Sequence, residues 1–472
     1  MCEFCKDNIE DILAVTPMQA GMLFYYLKEP ESKVYFDQHC YQLKGRIEID
    51  SLKRAWKYVV RNNEMLRTVF RWNGLNHPIQ VILKEYEILF FEYDYSALEV
   101  ADKLMQLDTL LRLDQKNPIE LEKKAYRVIF CKFSKEEYYM IVSAHHIIYD
   151  GWSNSLILKE LLYAYEDYLI GREPAIIWKT KYKELVKWYQ NQDKRKHSHF
   201  WENYLKEYNP KRLLKFNNPC VQTSEPGKFL CQVDNELECA IINFIRREHI
   251  TLATFIYTSW GILLHNYSGY EDILFGVTMS GRTSDIAGVE SIVGLFVNSL
   301  PLRLNIGNEN RVRDLIREVK RTMISFEEFQ GTSLIDLKRY VQIGKGASLF
   351  DTLVVVQNYP IDFIMVDNEQ SICIDFKSSY YMTNFDLSLD VRTFKGIQLA
   401  FNFNRDVLNL ISIERICKQL FKIFELIINS QDNKVKDFEL DDINERINML
   451  KDIEQTINFL TQLEEDNLDE VF

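Results

Sequence analysis

The chain has 472 residues but no apolar run that approaches the ~20 residues needed to span a bilayer. Its acidic N-terminus, MCEFCKDNIEDIL, lacks the basic and then apolar layout of a secretory signal peptide. Positive charge is also in deficit. The net charge is -12, which argues against a nucleic-acid-binding protein, since such proteins usually carry a basic face. The sequence therefore predicts a cytoplasmic protein with no membrane segment and no nucleic-acid partner.

A second cysteine pair near Cys2 and Cys5 is missing, and a structural zinc site would normally need one. The nine cysteines are odd in number and scattered as far as Cys417. This usage fits a reduced protein better than a disulfide scaffold. We therefore predict two free thiols in a frayed N-terminal tail, and no metal site.

The remaining composition is that of an ordinary soluble protein, with 47% hydrophobic and 27% charged residues. The length fits two or three domain-sized units. Tyrosine and phenylalanine are abundant, at 26 and 29 residues, so large cores and an apolar cleft can form.

Helical and strand patterns are mixed in both halves of the chain. Helical spacing of apolar residues predicts helices at 50–60, 103–113, 237–267 (broken near Ile250) and 413–427. Runs rich in β-branched and aromatic residues predict strands at 66–72, 125–133, 138–144, 272–281, 294–304, 352–360 and 397–404. This order favours an α/β protein with two lobes of similar size.

The lobe boundaries follow from the same patterns. We predict an N-terminal lobe at 1–178 and a C-terminal lobe at 179–440, with no sequence repeat between them. The segment 441–472 is acidic and helix-prone, and we interpret it as a solvated tail or linker.

The segment HHIIYDG, at 145–151, carries the residues best suited to chemistry. It follows a predicted strand and precedes a helix for which Ser153 or Ser155 is the expected cap. His145 and His146 are adjacent, so on extended backbone they point to opposite sides and only one can line a given cleft. A neutral histidine near its ordinary pKa of about 6.5 can accept a proton from an attacking amine.

By itself this segment predicts only some acyltransferase. A thioester is already activated, so the enzyme mainly has to orient two reactants and stabilise the tetrahedral intermediate. The alternative is a metal pair of His146 and Asp150 on one helix face. The intervening Ile147 and Ile148, which lead to Asp-Gly after a strand, suit a loop better than a helix.

Six segments, in order, resemble the condensation domains of non-ribosomal peptide synthetases over nearly the full length of the chain. They are TPMQAGMLF at 16–24, RNNEMLRTVF at 61–70, HHIIYDGWS at 145–153, YKELVKW at 182–188, IVGLFVNSLPLR at 292–303 and LFDTLVVVQNYP at 349–360. One segment departs from the family pattern, because QGTSLIDL at 330–337 stands where many members carry a segment like HQDxPFE. That departure weakens a subtype assignment more than the family assignment.

The resemblance implies two chloramphenicol-acetyltransferase-like lobes, arranged as a V-shaped pseudo-dimer with a central tunnel at their junction. It implies a monomer that holds no cofactor of its own. Donor and acceptor peptidyl carrier proteins would dock at opposite mouths, each presenting a phosphopantetheine arm. Because the chain is acidic, we expect docking to use local basic or apolar patches. No adenylation or carrier segment follows within the 472 residues, so we expect a stand-alone protein or one part of a larger synthetase with a neighbouring adenylation domain.

The resemblance also implies roles for the central segment. His146 is expected to contact the reacting amine, either as a base or as a positioning group, and His145 is expected to be structural. Asp150 is expected to face away and pair with an arginine of the second motif. Arg67 is the first choice for that arginine, and Arg61 is the second.

Three further residues complete the predicted site. Gly151 should leave room and offer its N–H. Asn298, in the fifth motif, is expected near the cleft on the side of the other lobe. Gln19, in the first motif, is expected to support the loop, although a plain packing role is an equal alternative.

The predicted function is peptide-bond formation between a carrier-tethered aminoacyl or peptidyl thioester and the amine of a carrier-tethered aminoacyl acceptor. The main alternative is a free-standing acyltransferase that makes an amide or ester from a soluble donor. An epimerisation domain shares HHxxxDG, but the first and fifth motifs look like condensation motifs. A heterocyclisation domain replaces both histidines with aspartate, and an inactive platform tends to lose the second histidine or the aspartate. The sequence does not reveal the substrates.

Overall fold

The computed structural model describes residues 6–30, 33–214, 227–283, 285–342, 348–357, 371–393, 396–430 and 432–438. The predictions for Cys2, Cys5 and the segment 441–472 lie outside these residues. Among the described residues, no helix combines the length and the apolar character required to cross a membrane.

Helices and strands are mixed in both halves of the chain, as expected of an α/β fold. The helices are α1 Pro17–Lys28, α2 Ile49–Asn62, α3 Val100–Gln115, α4 Gly151–Leu169, α5 Lys183–Gln190, α6 Lys194–Tyr204, α7 Asn235–Arg247, α8 Leu252–Ser268, α9 Val312–Phe329, α10 Leu334–Tyr340 and α11 Leu410–Asn429. The strands are β1 Ile9–Ala14, β2 Phe36–Gly45, β3 Thr68–Arg71, β4 Ile79–Leu83, β5 Phe90–Asp94, β6 Tyr126–Lys132, β7 Glu137–His145, β8 Gly227–Gln232, β9 Asp272–Met279, β10 Asn298–Asn305, β11 Thr352–Gln357, β12 Ile372–Tyr381, β13 Leu387–Arg392 and β14 Gln398–Phe403.

The strands of the described residues form three sheets. Their strand orders are β1-β4-β3, β12-β2-β7-β6-β5 and β10-β9-β11-β13-β14-β8. In the six-stranded sheet, β11 runs parallel to both β9 and β13, whereas the other pairs are antiparallel.

Two large hydrophobic cores correspond to the two predicted lobes, so the α/β two-lobe fold is confirmed. In the first core, α2 and α4 pack together and cover the five-stranded sheet, with Trp56 and Leu161 fully buried. In the second core, α8 and α11 pack together against the six-stranded sheet. The apolar residues of α11 recur every three or four positions, and the Asn409 side chain caps its first turn by accepting the N–H of Ser412 at 2.7 Å.

Two segments of the second half return to the first core. Strand β12 pairs antiparallel with β2 and so forms an edge of the first half's sheet. Residues 286–296 also contribute buried side chains, among them Ile292 and Phe296, to the first core. The boundary between 178 and 179 stays a prediction, but these two segments already join the halves where the HHIIYDG segment lies.

Candidate functional site

The HHIIYDG segment connects a strand to a helix, as predicted. Strand β7 ends at His145, and α4 begins at Gly151. The predicted helix cap is wrong, because the cap is Asp150 rather than Ser153 or Ser155. The Asp150 carboxylate accepts the N–H of Ser153 at 2.9 Å, and a carboxylate is as good an N-cap as serine, with its charge favoured by the helix dipole.

His146 is held in place by a carboxylate from the neighbouring strand. Its Nδ1 lies 2.6 Å from Oδ2 of Asp37 in β2, and its backbone N–H donates to the carbonyl of Tyr35 at 2.8 Å. The side chain of His146 is 27% exposed, whereas that of Asp37 is 12% exposed. The imidazole therefore faces an accessible space while its orienting partner is mostly shielded from water.

The Asp37 contact determines which nitrogen of His146 is available for chemistry. A carboxylate only accepts hydrogen bonds, so Nδ1 carries the proton and Nε2 presents its lone pair. Burial opposes the charged form of His146. The charge of Asp37 and its hydrogen bond, with a smaller contribution from Asp150, outweigh burial and raise the pKa above its ordinary value. The raised pKa makes the His146 imidazole a stronger base. When the imidazole takes a proton, the Asp37 carboxylate stabilises the imidazolium that forms.

Tyr35 adopts an unusual backbone conformation next to this pair, with φ of 66°. The left-handed region is uncommon for a bulky residue, so the surrounding contacts must hold it there. Its N–H donates to the Met382 carbonyl at 2.9 Å, and its hydroxyl donates to the Asn384 side chain at 3.1 Å. The segment just after β12 thus fixes the carbonyl that receives the His146 N–H.

His145 points into the first core, on the opposite side of the backbone from His146. It is 3% exposed, its Nδ1 accepts the N–H of Ile147 at 3.1 Å, and its ring meets the edge of Tyr26. Burial lowers its pKa to about 3, although the charge of Asp37 partly opposes this and that of His146 adds to it. His145 is therefore neutral, and its position suits the structural role expected of it.

Asp150 lies at the centre of a buried network that joins the two halves of the chain. Besides capping α4, it accepts the backbone N–H groups of Phe296 at 3.0 Å and Val297 at 3.3 Å. Arg282 donates to it at 3.4 Å, and the side chains of this ion pair are only 5% and 4% exposed. A single carboxylate therefore connects the HHIIYDG segment to the fifth motif.

The predicted partner of Asp150 is wrong. Arg67 is buried as expected, but it forms an ion pair with Glu10 in β1 and donates to the carbonyl of Leu83. Arg61, the second choice, is exposed at the end of α2. The strand that follows Arg67 lies in the β1-β4-β3 sheet, and this placement brings Glu10 to it rather than Asp150.

Hydrogen bonds and packing on an aromatic ring hold Arg282 in place, in addition to its ion pair with Asp150. Its Nη1 donates to the carbonyls of Val289 at 2.6 Å and Ile292 at 2.9 Å, and its Nη2 donates to Ser153 Oγ at 2.9 Å. The guanidinium also packs over the Phe296 ring, 4.2 Å from its centroid. These contacts compensate for the loss of hydration of a buried cation.

The first and fifth motifs contribute one supporting amide each. The Gln19 side chain is fully buried and donates to the Ile147 carbonyl at 3.2 Å, a contact that supports the loop. The Asn298 amide is also buried, and it donates to the carbonyls of Gln330 and Thr332, both at 2.7 Å. Asn298 is therefore engaged within the second half rather than aimed at His146. Gly151 is the first residue of α4, where backbone N–H groups have no carbonyl partner within the helix.

Sequence reasoning missed Asp37 and Arg282. Both come from segments distant from HHIIYDG in the chain, YFDQHCYQL around Asp37 and SGRTS around Arg282. No alternation in the sequence of β2 marks Asp37, although a charged residue in a strand that is almost wholly buried needs a partner. Nothing local distinguishes Arg282 from other arginines. Within the described part of the chain, no cluster of three or more histidine, cysteine or acidic side chains is arranged to hold a metal.

Replacing Asp37 with asparagine should lower activity at least about 10-fold, because the carboxylate that selects the His146 tautomer is lost. The pKa of His146 should fall, so the neutral imidazole persists to lower pH. The acidic limb of the pH–rate profile should therefore move to lower pH. A matched control is Asp108→Asn, an exposed aspartate of α3, and an unchanged acidic limb in Asp37→Asn would contradict the assigned pair.

Comparisons with known proteins agree on one family. The Condensation domain family matches residues 9–450. The chain is 26% identical over 468 residues to gramicidin S synthase 2 of Brevibacillus brevis, covering 97% of this chain and 10% of that protein. It is 27% identical over 440 residues to tyrocidine synthase 2 of Brevibacillus parabrevis, covering 91% of this chain and 12% of that protein. The chain thus spans about a tenth of the length of these curated relatives.

A likeness in fold extends to solved structures. The first condensation domain of the calcium-dependent antibiotic synthetase, in complex with a substrate analogue, superposes with a TM-score of 0.77. The two chains share 18% sequence identity, and the match covers 92% of this chain and all of that one. The similarity therefore extends over the whole two-lobe architecture.

Proposed function

The chain belongs to the Condensation domain family, and on that premise we propose that it forms a peptide bond between two carrier-tethered substrates. One substrate is an aminoacyl or peptidyl thioester, and the other is an aminoacyl group with a free amine. The observation that carries the proposal is the His146 imidazole, which is partly exposed at the end of β7 and oriented by Asp37.

The proposed step conserves atoms and charge. The acceptor amine nitrogen attacks the thioester carbonyl carbon, and a new C–N bond forms. The C–S bond then breaks and releases the thiol of the donor arm. The proton that the amine loses passes to Nε2 of His146 and from there to the departing sulfur. Asp37 stabilises the imidazolium during this transfer, and Asp150 and Gln19 hold the segment that carries it.

The partners belong to the same proposal. They are a donor and an acceptor peptidyl carrier protein, whose phosphopantetheine arms deliver the substrates through the junction of the lobes. We also propose a neighbouring adenylation domain, a monomeric state and a cytoplasmic location. A free-standing acyltransferase is less favoured, because both relatives named above are synthases many times longer than this chain.

Dependence on carriers separates the two functions. We expect a condensed product, detected by intact mass on the acceptor carrier, only when both carriers are loaded and His146 is present. Replacing the donor carrier with a coenzyme A thioester of the same acyl group should lower the rate at least about 10-fold, since binding energy from the carrier is then lost.

Two outcomes would contradict the proposal. Equal rates with the coenzyme A thioester would favour the free-standing acyltransferase. A change in the configuration of the loaded amino acid without any mass increase on the acceptor carrier would indicate epimerisation instead. The His146→Ala variant, loaded with the same carriers, supplies the baseline for both measurements.

A further inference from the structure

One face of the six-stranded sheet is polar where β13, β14 and β8 lie side by side. Alternate residues of β13, among them Leu389 and Val391, are buried in the second core, and so is Phe401 of β14. Because side chains alternate along a strand, the residues between them point the other way. The polar face defined in this way carries Asp390, Arg392, Asn402 and Lys228, the last two being cross-strand partners.

This polar face lies against β12, a strand from the second half of the chain that pairs in the sheet of the first half. Lys228 Nζ donates to the Ser379 carbonyl at 3.0 Å, and the Asn402 amide donates to the Tyr381 hydroxyl. The Arg392 guanidinium lies over the Phe376 ring, 5.9 Å from its centroid. The polar face therefore closes over the same strand that borders the site.

The polar face is also close to His146. In the pairing of β12 with β2, Tyr381 lies opposite Asp37 and Ser379 lies opposite His39. His39 is two residues along β2 from Asp37, so the two side chains share a face and their Cα atoms are about 6.6 Å apart. The polar face therefore lies only a few residues along the sheet from the His146–Asp37 pair.

The charges on the polar face do not cancel. Lys228 and Arg392 are both near enough to Asp390 to act on it electrostatically, yet neither forms an ion pair with it among the described residues. Burial raises the pKa of Asp390 to about 6, against the opposing effects of Arg392 and Lys228. The two positive charges of Lys228 and Arg392 therefore outnumber the single negative charge that Asp390 can carry.

Beside the polar face, two buried nitrogen atoms have no hydrogen-bond partner among the described residues. They are Nε of Arg392 and Nδ1 of His39. Lys228 is exposed on this face, where desolvation by neighbouring protein atoms, with the charge of Arg392, lowers its pKa to about 8. Two cations that form no ion pair among the described residues favour an anionic ligand that accepts hydrogen bonds.

We propose that Arg392 and Lys228 bind a carboxylate on the side chain of one tethered substrate, as in an aspartyl or glutamyl residue. This inference rests on the proposed condensation function. Arginine and lysine provide the charge and the hydrogen bonds that a carboxylate takes. Phe376, 39% exposed beside Arg392, offers an apolar surface for the methylene groups of that side chain. The arm's phosphate lies at the other end of the arm from the thioester, so the side chain is the anion that reaches this face.

Isosteric substrate pairs test the proposal directly. Each carrier is loaded in turn with Glu or Gln, and with Asp or Asn, while the other carrier holds a neutral amino acid. We expect at least one carboxylate substrate to exceed its amide counterpart by about 10-fold or more in kcat/KM. Arg392→Gln and Lys228→Met should each bring that ratio towards one. Lys377→Met is the matched control, because Lys377 lies on β12 and pairs with Asp375 instead.

A binding measurement separates this inference from the proposed function. In the His146→Ala variant, pantetheine thioesters of Glu and Gln should differ in Kd by about 10-fold, which corresponds to about 1.4 kcal/mol. Condensation of neutral substrates without any preference for a carboxylate, in rate or in Kd, would overturn this inference alone. Absence of condensation with every pair would overturn the proposed function. An equal loss for all substrates in Arg392→Gln would point to a shared anion such as the phosphate, and would also overturn the carboxylate proposal.

Discussion

Replacing His146 with alanine is expected to reduce condensation by about 10²- to 10⁴-fold, the range of a positioned acid–base group. The variant loses the Nε2 atom that receives the proton from the attacking amine. It leaves Asp37 without its partner, but removal of the partly exposed imidazole opens the accessible space to the carboxylate, so water can solvate it. The fold should therefore persist. Single-turnover rates with two loaded carriers measure the first effect, and thermal melting with circular dichroism checks the second.

The matched control for this variant is His77→Ala, which removes an exposed histidine far along the chain from the site. It should retain wild-type turnover. Turnover of His146→Ala close to that of wild type would remove His146 from the chemical step and leave only binding and orientation as sources of rate. A loss in kcat at unchanged KM would instead support a role that is strongest in the transition state.

Replacing Asp150 with alanine is expected to lower the free energy of unfolding by about 3–5 kcal/mol, because it leaves Arg282 as an uncompensated buried charge. It also removes the cap of α4 and the acceptor of two backbone N–H groups of the fifth motif. Activity should fall as well, since the same carboxylate holds the segment that presents His146. Chemical denaturation and melting temperature measure the first effect, and single-turnover rates measure the second.

A double-mutant cycle distinguishes the partner seen in the structure from the one that the sequence suggested. Asp150→Ala and Arg282→Ala should be strongly non-additive, because each single change already breaks the same ion pair. Asp150→Ala and Arg67→Ala should be close to additive, because Arg67 pairs with Glu10 instead. Additivity in the first cycle and coupling in the second would contradict the network described for Asp150.

The local sequence pattern was sufficient to locate the HHIIYDG segment between a strand and a helix. The apolar run before His145 required a strand, and the helical spacing after Gly151 required a helix, so HHIIYDG had to connect the two. The adjacency of His145 and His146 then required that one point inwards and the other outwards. These conclusions depend on residues close together in the chain, whose geometry the backbone restricts strongly. The six motifs added the family, and the match of the family to residues 9–450 confirmed it.

The tertiary structure decided which distant groups meet these residues. Asp37 reaches His146 because β2 pairs with β7, and 109 residues separate the two in sequence. Arg282 reaches Asp150 because residues 286–296 pack into the first core. Arg67 instead pairs with Glu10, because β1 and β3 belong to the same β1-β4-β3 sheet. Many arginines satisfy a local requirement for a cation equally well. Only the folding of strands and loops from both halves around one core selects among them, so the sequence determined the reactive segment and the fold determined its partners.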